Sequence, residues 1–184
     1  MNFIKPNARV CIIKAVLKSY LLLIMLSALH SAKAQTPARD TSRFLHIIKP
    51  YILPCSSMFV SGLLDGTIET INYHYYNGFK LVFPKANDQF WNPAVSWTNK
   101  YKDHNAALGP KFPGSTTAFV FTTDAYHALR TARNFIDFGT ITYYINRSCN
   151  QTRKPPFRKY LLDALIIAAS HALGFTAAYS VIFR

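Results

Sequence analysis

The chain has 184 residues and a formal net charge of +13; half of its residues are hydrophobic and 16% are charged. This length fits one domain of ordinary size. A charged fraction well below the roughly 25% of soluble domains favours a membrane-associated chain. The 15% of aromatic residues favours it too, because Tyr and Trp concentrate at membrane interfaces. Nucleic-acid-binding motifs are absent from the sequence, so no nucleic-acid partner is expected.

The first 34 residues are typical of a signal peptide. Basic residues precede the apolar run YLLLIMLSALHSA, and Ala32, Lys33 and Ala34 stand before Gln35 in the small-x-small cleavage pattern. Cleavage removes five of the 21 basic residues and none of the eight acidic ones, which leaves a net charge of +8. An exported basic chain suits membrane lipid as a partner, with anionic head groups as its contacts. An uncleaved anchor is the alternative, although a run of about 13 apolar residues is short for a span.

Residues 35–184 are predicted to form a single helical domain, whose first helix covers residues 55–76 after Pro54. Gly62 and Gly66 stand four residues apart, a spacing that allows close contact with another helix. A polar stripe recurs at helical spacing along the same segment. Its members are Ser57, Ser61, Asp65, Glu69 and Asn72.

A long loop, residues 77–114, follows this helix and contains Trp91, Trp97 and four prolines. Its aromatic content predicts an ordered lid, with the Trp rings packed on the helices, because such residues bury enough area to offset ordering entropy. The alternative is an aromatic belt at the level of lipid head groups. Cys55 and Cys149 are the two cysteines that remain after cleavage, and either a disulfide or two free thiols fits their spacing.

The second helix is predicted to start at Ser115, a good N-cap after Pro113 and Gly114, and to run through Asn134 with Tyr144 as the farther limit.

The third helix, residues 160–183, is long and apolar enough to cross a bilayer, although a buried helix of a soluble core has the same composition. Ser170, Gly174 and Ala178 form a small-residue face for packing against another helix, in this chain or in a second copy.

The candidate site consists of acidic and histidine side chains carried by all three helices. Asp163 and His171 lie on the third helix, and His171 falls near mid-membrane, where ionisable groups mark functional sites. Inward-facing carboxylates and imidazoles are how helical bundles hold metals. Asp124 and His127 are the candidate catalytic pair. The candidate metal ligands are Asp65, Glu69, Asp124, His127 and His171.

Asp124 and His127 also have a purely structural interpretation. Their D-x-x-H spacing resembles the E-x-x-H ligands of di-metal bundles, but Asp replaces Glu and the pattern occurs once. In the structural interpretation the carboxylate orients the imidazole, or bonds Arg130 or Arg133, and does no chemistry.

Three phrases carry a resemblance to a known group: FWNPxxSWxNKYK at residues 90–102, GSTT at 114–117 and TDxxH at 123–127. With these phrases the chain resembles small uncharacterised envelope proteins of Gram-negative bacteria, over roughly residues 60 to 130. The resemblance implies envelope localisation, and it implies that the loop and the D-x-x-H pair belong to one unit.

The sequence therefore predicts a mainly α, small membrane-associated helical bundle of about three helices with a long aromatic loop. We expect a structural or interaction protein of the cell envelope. The alternative is a hydrolase or oxidoreductase that depends on a divalent metal and acts on an envelope lipid or glycan.

Overall fold

A computed structural model describes residues 38–151 and 154–184, with side chains from residue 45 onward. The predicted signal peptide, residues 1–34, lies outside the described residues. The chain divides into two compact units, residues 1–50 and residues 51–184. All contacts discussed below lie within the second unit.

The described part of the chain is mainly helical, which confirms the mainly α part of the predicted fold class. It contains six α-helices: α1 (Ala38–Tyr73), α2 (Lys80–Val82), α3 (Asp88–Trp91), α4 (Pro93–Ser96), α5 (Ala125–Cys149) and α6 (Phe157–Thr176). Two π-helical segments, Tyr75–Phe79 and Ala177–Ile182, continue from α1 and α6. The prediction of about three helices is thus too simple, because the region between α1 and α5 is itself built from short helices. Two helical stretches, Leu45–Tyr73 and Phe157–Ile182, have the length and composition to cross a membrane.

Helix α1 is much longer than predicted. It begins at Ala38, not at residue 55, and it continues through Pro50 and Pro54. A proline removes one donor from the helical ladder and usually ends a helix. Here the helix continues on both sides of each proline. Membrane helices tolerate such prolines because neighbouring groups compensate for the lost bond.

The predicted start of the second long helix at Ser115 is wrong. The Ser115 hydroxyl donates to the carbonyl of Lys100 at 2.7 Å and ties together two parts of the connecting region (residues 74–124). Helix α5 begins after Asp124, whose extended backbone and carboxylate make it the N-cap. The helix then continues to Cys149, beyond the predicted limit at Tyr144.

Helices α1 and α6 approach at backbone distance. A methyl group at Gly62 would lie 2.0 Å from the carbonyl oxygen of His171, and one at Gly174 would lie 2.1 Å from that of Phe59. The predicted small-residue contact between helices is therefore present. Only glycine fits at these two crossing points, because any Cβ would overlap the backbone of the other helix.

Helix α5 runs antiparallel to α1. Ser61 contacts Asp137 and Asp65 contacts Arg133, so the order along one helix reverses along the other. Helices α1 and α6 run in the same direction, since Tyr51 contacts Asp163 near one end and Gly66 lies against Ala178 farther along.

An aromatic core closes one end of these helices. It is formed by Ile71, Tyr75, Phe79, Ala178 and Phe183. The Trp91 ring stacks on Phe79 with 5.0 Å between ring centroids, as predicted for an ordered loop. Trp97, in contrast, is 49% exposed and contacts the ring edge of Tyr101, so its predicted burial is wrong.

Side-chain amides order the connecting region. Asn87, Asn92 and Asn105 each accept a backbone N–H two residues ahead and thereby begin a short helix. The Asn99 amide donates to the carbonyls of Gln89 and Thr123, at 2.6 and 2.9 Å. These local bonds explain how the connecting region keeps one conformation although it contains only short helices. Cys55 and Cys149 are both free thiols.

Candidate functional site

Polar and charged side chains meet between α1, α5 and α6 in what we call the polar seam: Ser61, Asp65, Arg133, Asp137 and His171. The Arg133 guanidinium donates to Asp65 at 2.5 Å and lies 3.9 Å from Asp137. The Ser61 hydroxyl donates to Asp137 at 2.5 Å, and Nε2 of His171 lies 3.9 Å from Asp65. One guanidinium thus joins two carboxylates on different helices, a geometry that fixes helix register.

A second polar group surrounds Asp163, which is only 3% exposed. Its carboxylate accepts hydrogen bonds from the hydroxyl of Tyr51, from the hydroxyl of Tyr144 at 2.7 Å and from the ammonium of Lys159 at 2.8 Å. Three donors satisfy this buried charge, so it links α1, α5 and α6 without an unpaired carboxylate. Asp163 and His171 therefore belong to two separate polar groups.

The candidate catalytic pair lies at the start of α5. Asp124 is 1% exposed and accepts the backbone N–H of His127 at 2.9 Å. Its other oxygen lies 2.8 Å from Nδ1 of the same imidazole. Arg130 bonds the hydroxyl of Tyr126 instead of the Asp124 carboxylate. One aspartate thus caps the helix and orients the histidine, the geometry expected for the structural interpretation.

The five candidate metal ligands do not assemble into one group. They form two separate pairs, Asp65 with His171 and Asp124 with His127, while Glu69 makes no hydrogen bond or ion pair with any described residue. Among the residues that the structure describes, no three Asp, Glu, His or Cys side chains lie close enough to hold a metal ion together. Structural and catalytic zinc sites use three or four protein ligands, and a pair falls short of that number.

A third polar contact lies within the connecting region, shortly after the end of α1. Asp88 accepts from the Tyr75 hydroxyl at 2.8 Å and from the ammonium of Lys80. The Lys80 bond, followed by the Tyr75 bond, lowers the pKa of the Asp88 carboxyl. Burial, followed by the bond to Asp88, raises the pKa of the Tyr75 hydroxyl. The contact therefore needs an ionised carboxylate.

Sequence reasoning missed several of the residues that complete these groups. Asp137, Tyr51 and Tyr144 were not singled out, although Asp137 follows Arg133 at the i,i+4 spacing that pairs charges on one helix face. Tyr51 contacts Asp163 across 112 positions of sequence, and no local pattern signals such a pairing.

Comparison with protein-family models, with curated proteins and with solved structures gave no match to this chain.

Proposed function

We propose that the chain is a membrane protein of the cell envelope, exported by its N-terminal leader, with a structural or interaction role. The observation that carries the proposal is the distribution of side chains on the three long helices. Polar and charged groups lie between the helices, and large apolar side chains lie on the outside.

The outward-facing apolar residues are numerous on every long helix. They include Ile52, Leu53, Phe59 and Val60 on α1, Phe135, Phe138, Ile141 and Ile145 on α5, and Leu161, Leu162, Leu165 and Leu173 on α6. Phe135 and Phe138 are each 75% exposed. Soluble monomers rarely leave continuous apolar surface of this extent in water, and lipid is the solvent that suits it.

The interior supports the same proposal. Two helical stretches are long enough to span a membrane. Only 17% and 11% of their respective apolar segments are buried within the chain. Burial inside the protein therefore does not explain why these stretches are apolar. The glycine contacts of α1 and α6 are typical of membrane helices, which associate through close packing because lipid supplies no hydrophobic drive between them. The three long helices would then form a membrane bundle, with the connecting region at one end.

The polar seam fits a role in helix specificity. Arg133 of α5 bonds Asp65 of α1, and Ser61 of α1 bonds Asp137 of α5, so both contacts form together in one register of the two helices. A mispaired register would leave charges unsatisfied in a nonpolar medium. This role for the polar seam favours an interaction protein. The alternative is a metal-dependent enzyme that acts on an envelope lipid or glycan.

Basic residues at the other end support anionic lipid head groups as partners. Lys154 and Arg158 are exposed around the start of α6. Each lysine or arginine near an anionic surface contributes about 1 kcal/mol of attraction. A second copy of the chain, packed on the apolar faces, is a further partner consistent with this surface.

Extraction of membranes tests the proposal. Membranes from cells that express the full chain are washed with alkaline carbonate, which releases peripheral proteins. The chain is expected to stay in the pellet and to require detergent for release. Recovery in the carbonate supernatant, or in the soluble fraction before the wash, contradicts the proposal.

A further inference from the structure

The connecting region contains a cavity of about 380 Å³. Its volume lies in the range of roughly 300–1,000 Å³ that is common for small-molecule sites. The lining residues are Asn87, Gln89, Phe90, Asn99, His104, Lys111, Phe112, Thr122 and Thr123. They combine amides, hydroxyls, two phenyl rings and two basic groups, and none of them is acidic.

The charge of the lining favours an anionic ligand. The ammonium of Lys111 makes no hydrogen bond or ion pair with any residue that the structure describes, although its backbone N–H bonds the carbonyl of Lys100 at 2.9 Å. His104 supplies a second nitrogen base on the same lining. An unpaired ammonium in a cleft without carboxylates attracts an acidic group.

The amides of the lining are held in place. Gln89 donates to the Asn99 side chain at 2.6 Å, and Asn99 returns a bond to the carbonyl of Gln89. The Gln89 amide also lies 3.3 Å from Nδ1 of His104, and as a donor there it leaves Nε2 to carry the ring hydrogen. Preorganised groups of this kind lower the entropy cost of binding a polar ligand.

The backbone beside the cavity is strained. Asp103 and His104 have φ values of 47° and 58°, in the left-handed region that residues other than glycine seldom adopt. The antiparallel bridge between Tyr101 and Pro110 holds the two ends of this turn together. Strained conformations persist where the surroundings enforce them, and they cluster at binding sites. Here the turn brings His104 and Lys111 to one cavity.

We propose that this cavity binds a small sugar that bears an acidic group, either a carboxylate or a phosphate. The amides and hydroxyls suit the hydroxyl groups of a sugar, the rings of Phe90 and Phe112 suit its apolar C–H face, and Lys111 pairs with the acid. This ligand-binding activity goes beyond the structural role proposed above and does not depend on it.

Calorimetric titration of the full chain in detergent tests this proposal with four probes: glucuronate, glucose 6-phosphate, glucose and inorganic phosphate. At least one acidic sugar is expected to bind tenfold or more tightly than glucose and than phosphate. The tighter of the two acidic sugars identifies the acidic group. Absence of binding by both acidic sugars overturns the proposal, and so does phosphate binding of equal strength, which indicates a simple anion site.

Two lysine variants provide the matched comparison. Lys111→Gln is expected to weaken binding of the acidic sugar by roughly tenfold or more, the size of one charge-assisted hydrogen bond. Lys102→Gln removes the same charge from an exposed position of the same turn, outside the cavity lining, and is expected to leave binding within about twofold. Equal losses in the two variants, with unchanged melting temperatures, overturn the assignment of Lys111.

Discussion

The close contact between α1 and α6 predicts opposite outcomes for the same substitution at two glycines. Gly62→Ala places a Cβ 2.0 Å from the carbonyl oxygen of His171, whereas Gly139→Ala on α5 meets nothing within 4 Å. Ordinary contact begins at 3.4 Å, so Gly62→Ala must push the two helices apart by about 1.4 Å, the difference between the two distances. A gap of that size forfeits most of the dispersion energy of the neighbouring contacts.

The expected energies follow from this geometry. Overpacking of a tight contact costs about 1–3 kcal/mol, and sometimes more. Alanine in place of glycine inside a helix returns roughly 0.5–1 kcal/mol. Gly62→Ala is therefore expected to lower the free energy of unfolding by roughly 0.5–2 kcal/mol, the overpacking cost less the helix gain. Gly139→Ala is expected to raise it by roughly 0.5–1 kcal/mol.

Unfolding in mixed micelles with increasing SDS, followed by near-ultraviolet circular dichroism, measures both variants beside the wild type. Gly174→Ala serves as a second test of the same contact, because its Cβ would lie 2.1 Å from the carbonyl oxygen of Phe59. If Gly62→Ala and Gly174→Ala are as stable as Gly139→Ala, the helices do not cross at these glycines.

Four further outcomes follow. Asp124→Ala removes the N-cap of α5 and is expected to cost about 0.5–2 kcal/mol in thermal unfolding; stoichiometric metal in the purified wild type, lost in Asp124→Asn, would instead support the enzyme alternative. Because the pKa of Asp88 is lowered in the fold, its contact with Lys80 stabilises above the ordinary value of 3.8 and is lost as pH falls through the lower folded-state value; acid titration of Asp88→Asn should lack this component. With Trp97 replaced by Phe, the remaining fluorescence of Trp91 should resist iodide quenching, and ready quenching contradicts its stacking on Phe79. Amino-terminal sequencing should give a mature start at Gln35, and retention of residues 1–34 would remove the signal-peptide prediction.

The sequence was informative where short-range rules act alone. The long apolar helix was predicted at residues 160–183 and is found as α6 with its π-helical continuation, Phe157–Ile182. Gly62 and Gly66 were predicted to allow close helix contact, because their spacing places them on one face, and both lie against α6.

Local rules failed where several positions satisfied them equally well. Between residues 115 and 124 the chain offers several Ser, Thr and Asp side chains, and each is a good N-cap by type. The choice of Asp124 depends on Ser115 being used elsewhere, by the carbonyl of Lys100. The start of α1 was missed because proline usually ends a helix, whereas this helix continues through Pro50 and Pro54.

Local sequence patterns could not predict which residues the candidate site residues contact. Asp65 bonds Arg133 across 68 positions, and the register of two helices decides that contact. Once the helices are in place, Asp124 pairs with His127 and Asp65 pairs with Arg133. A pattern of residue types along one helix cannot separate such pairs from a shared metal site.

The position of the apolar faces relative to lipid is the most direct test of the proposed membrane bundle. A nitroxide label is attached to a single cysteine at Phe138 or Leu165, which are 75% and 60% exposed, or at Thr116 of the connecting region as a control. Cys11, Cys55 and Cys149 are first replaced by serine. In reconstituted vesicles, power saturation should show labels at Phe138 and Leu165 more accessible to oxygen than to a water-soluble nickel complex, with the reverse at Thr116. Higher accessibility to nickel at Phe138 and Leu165 would contradict the membrane bundle.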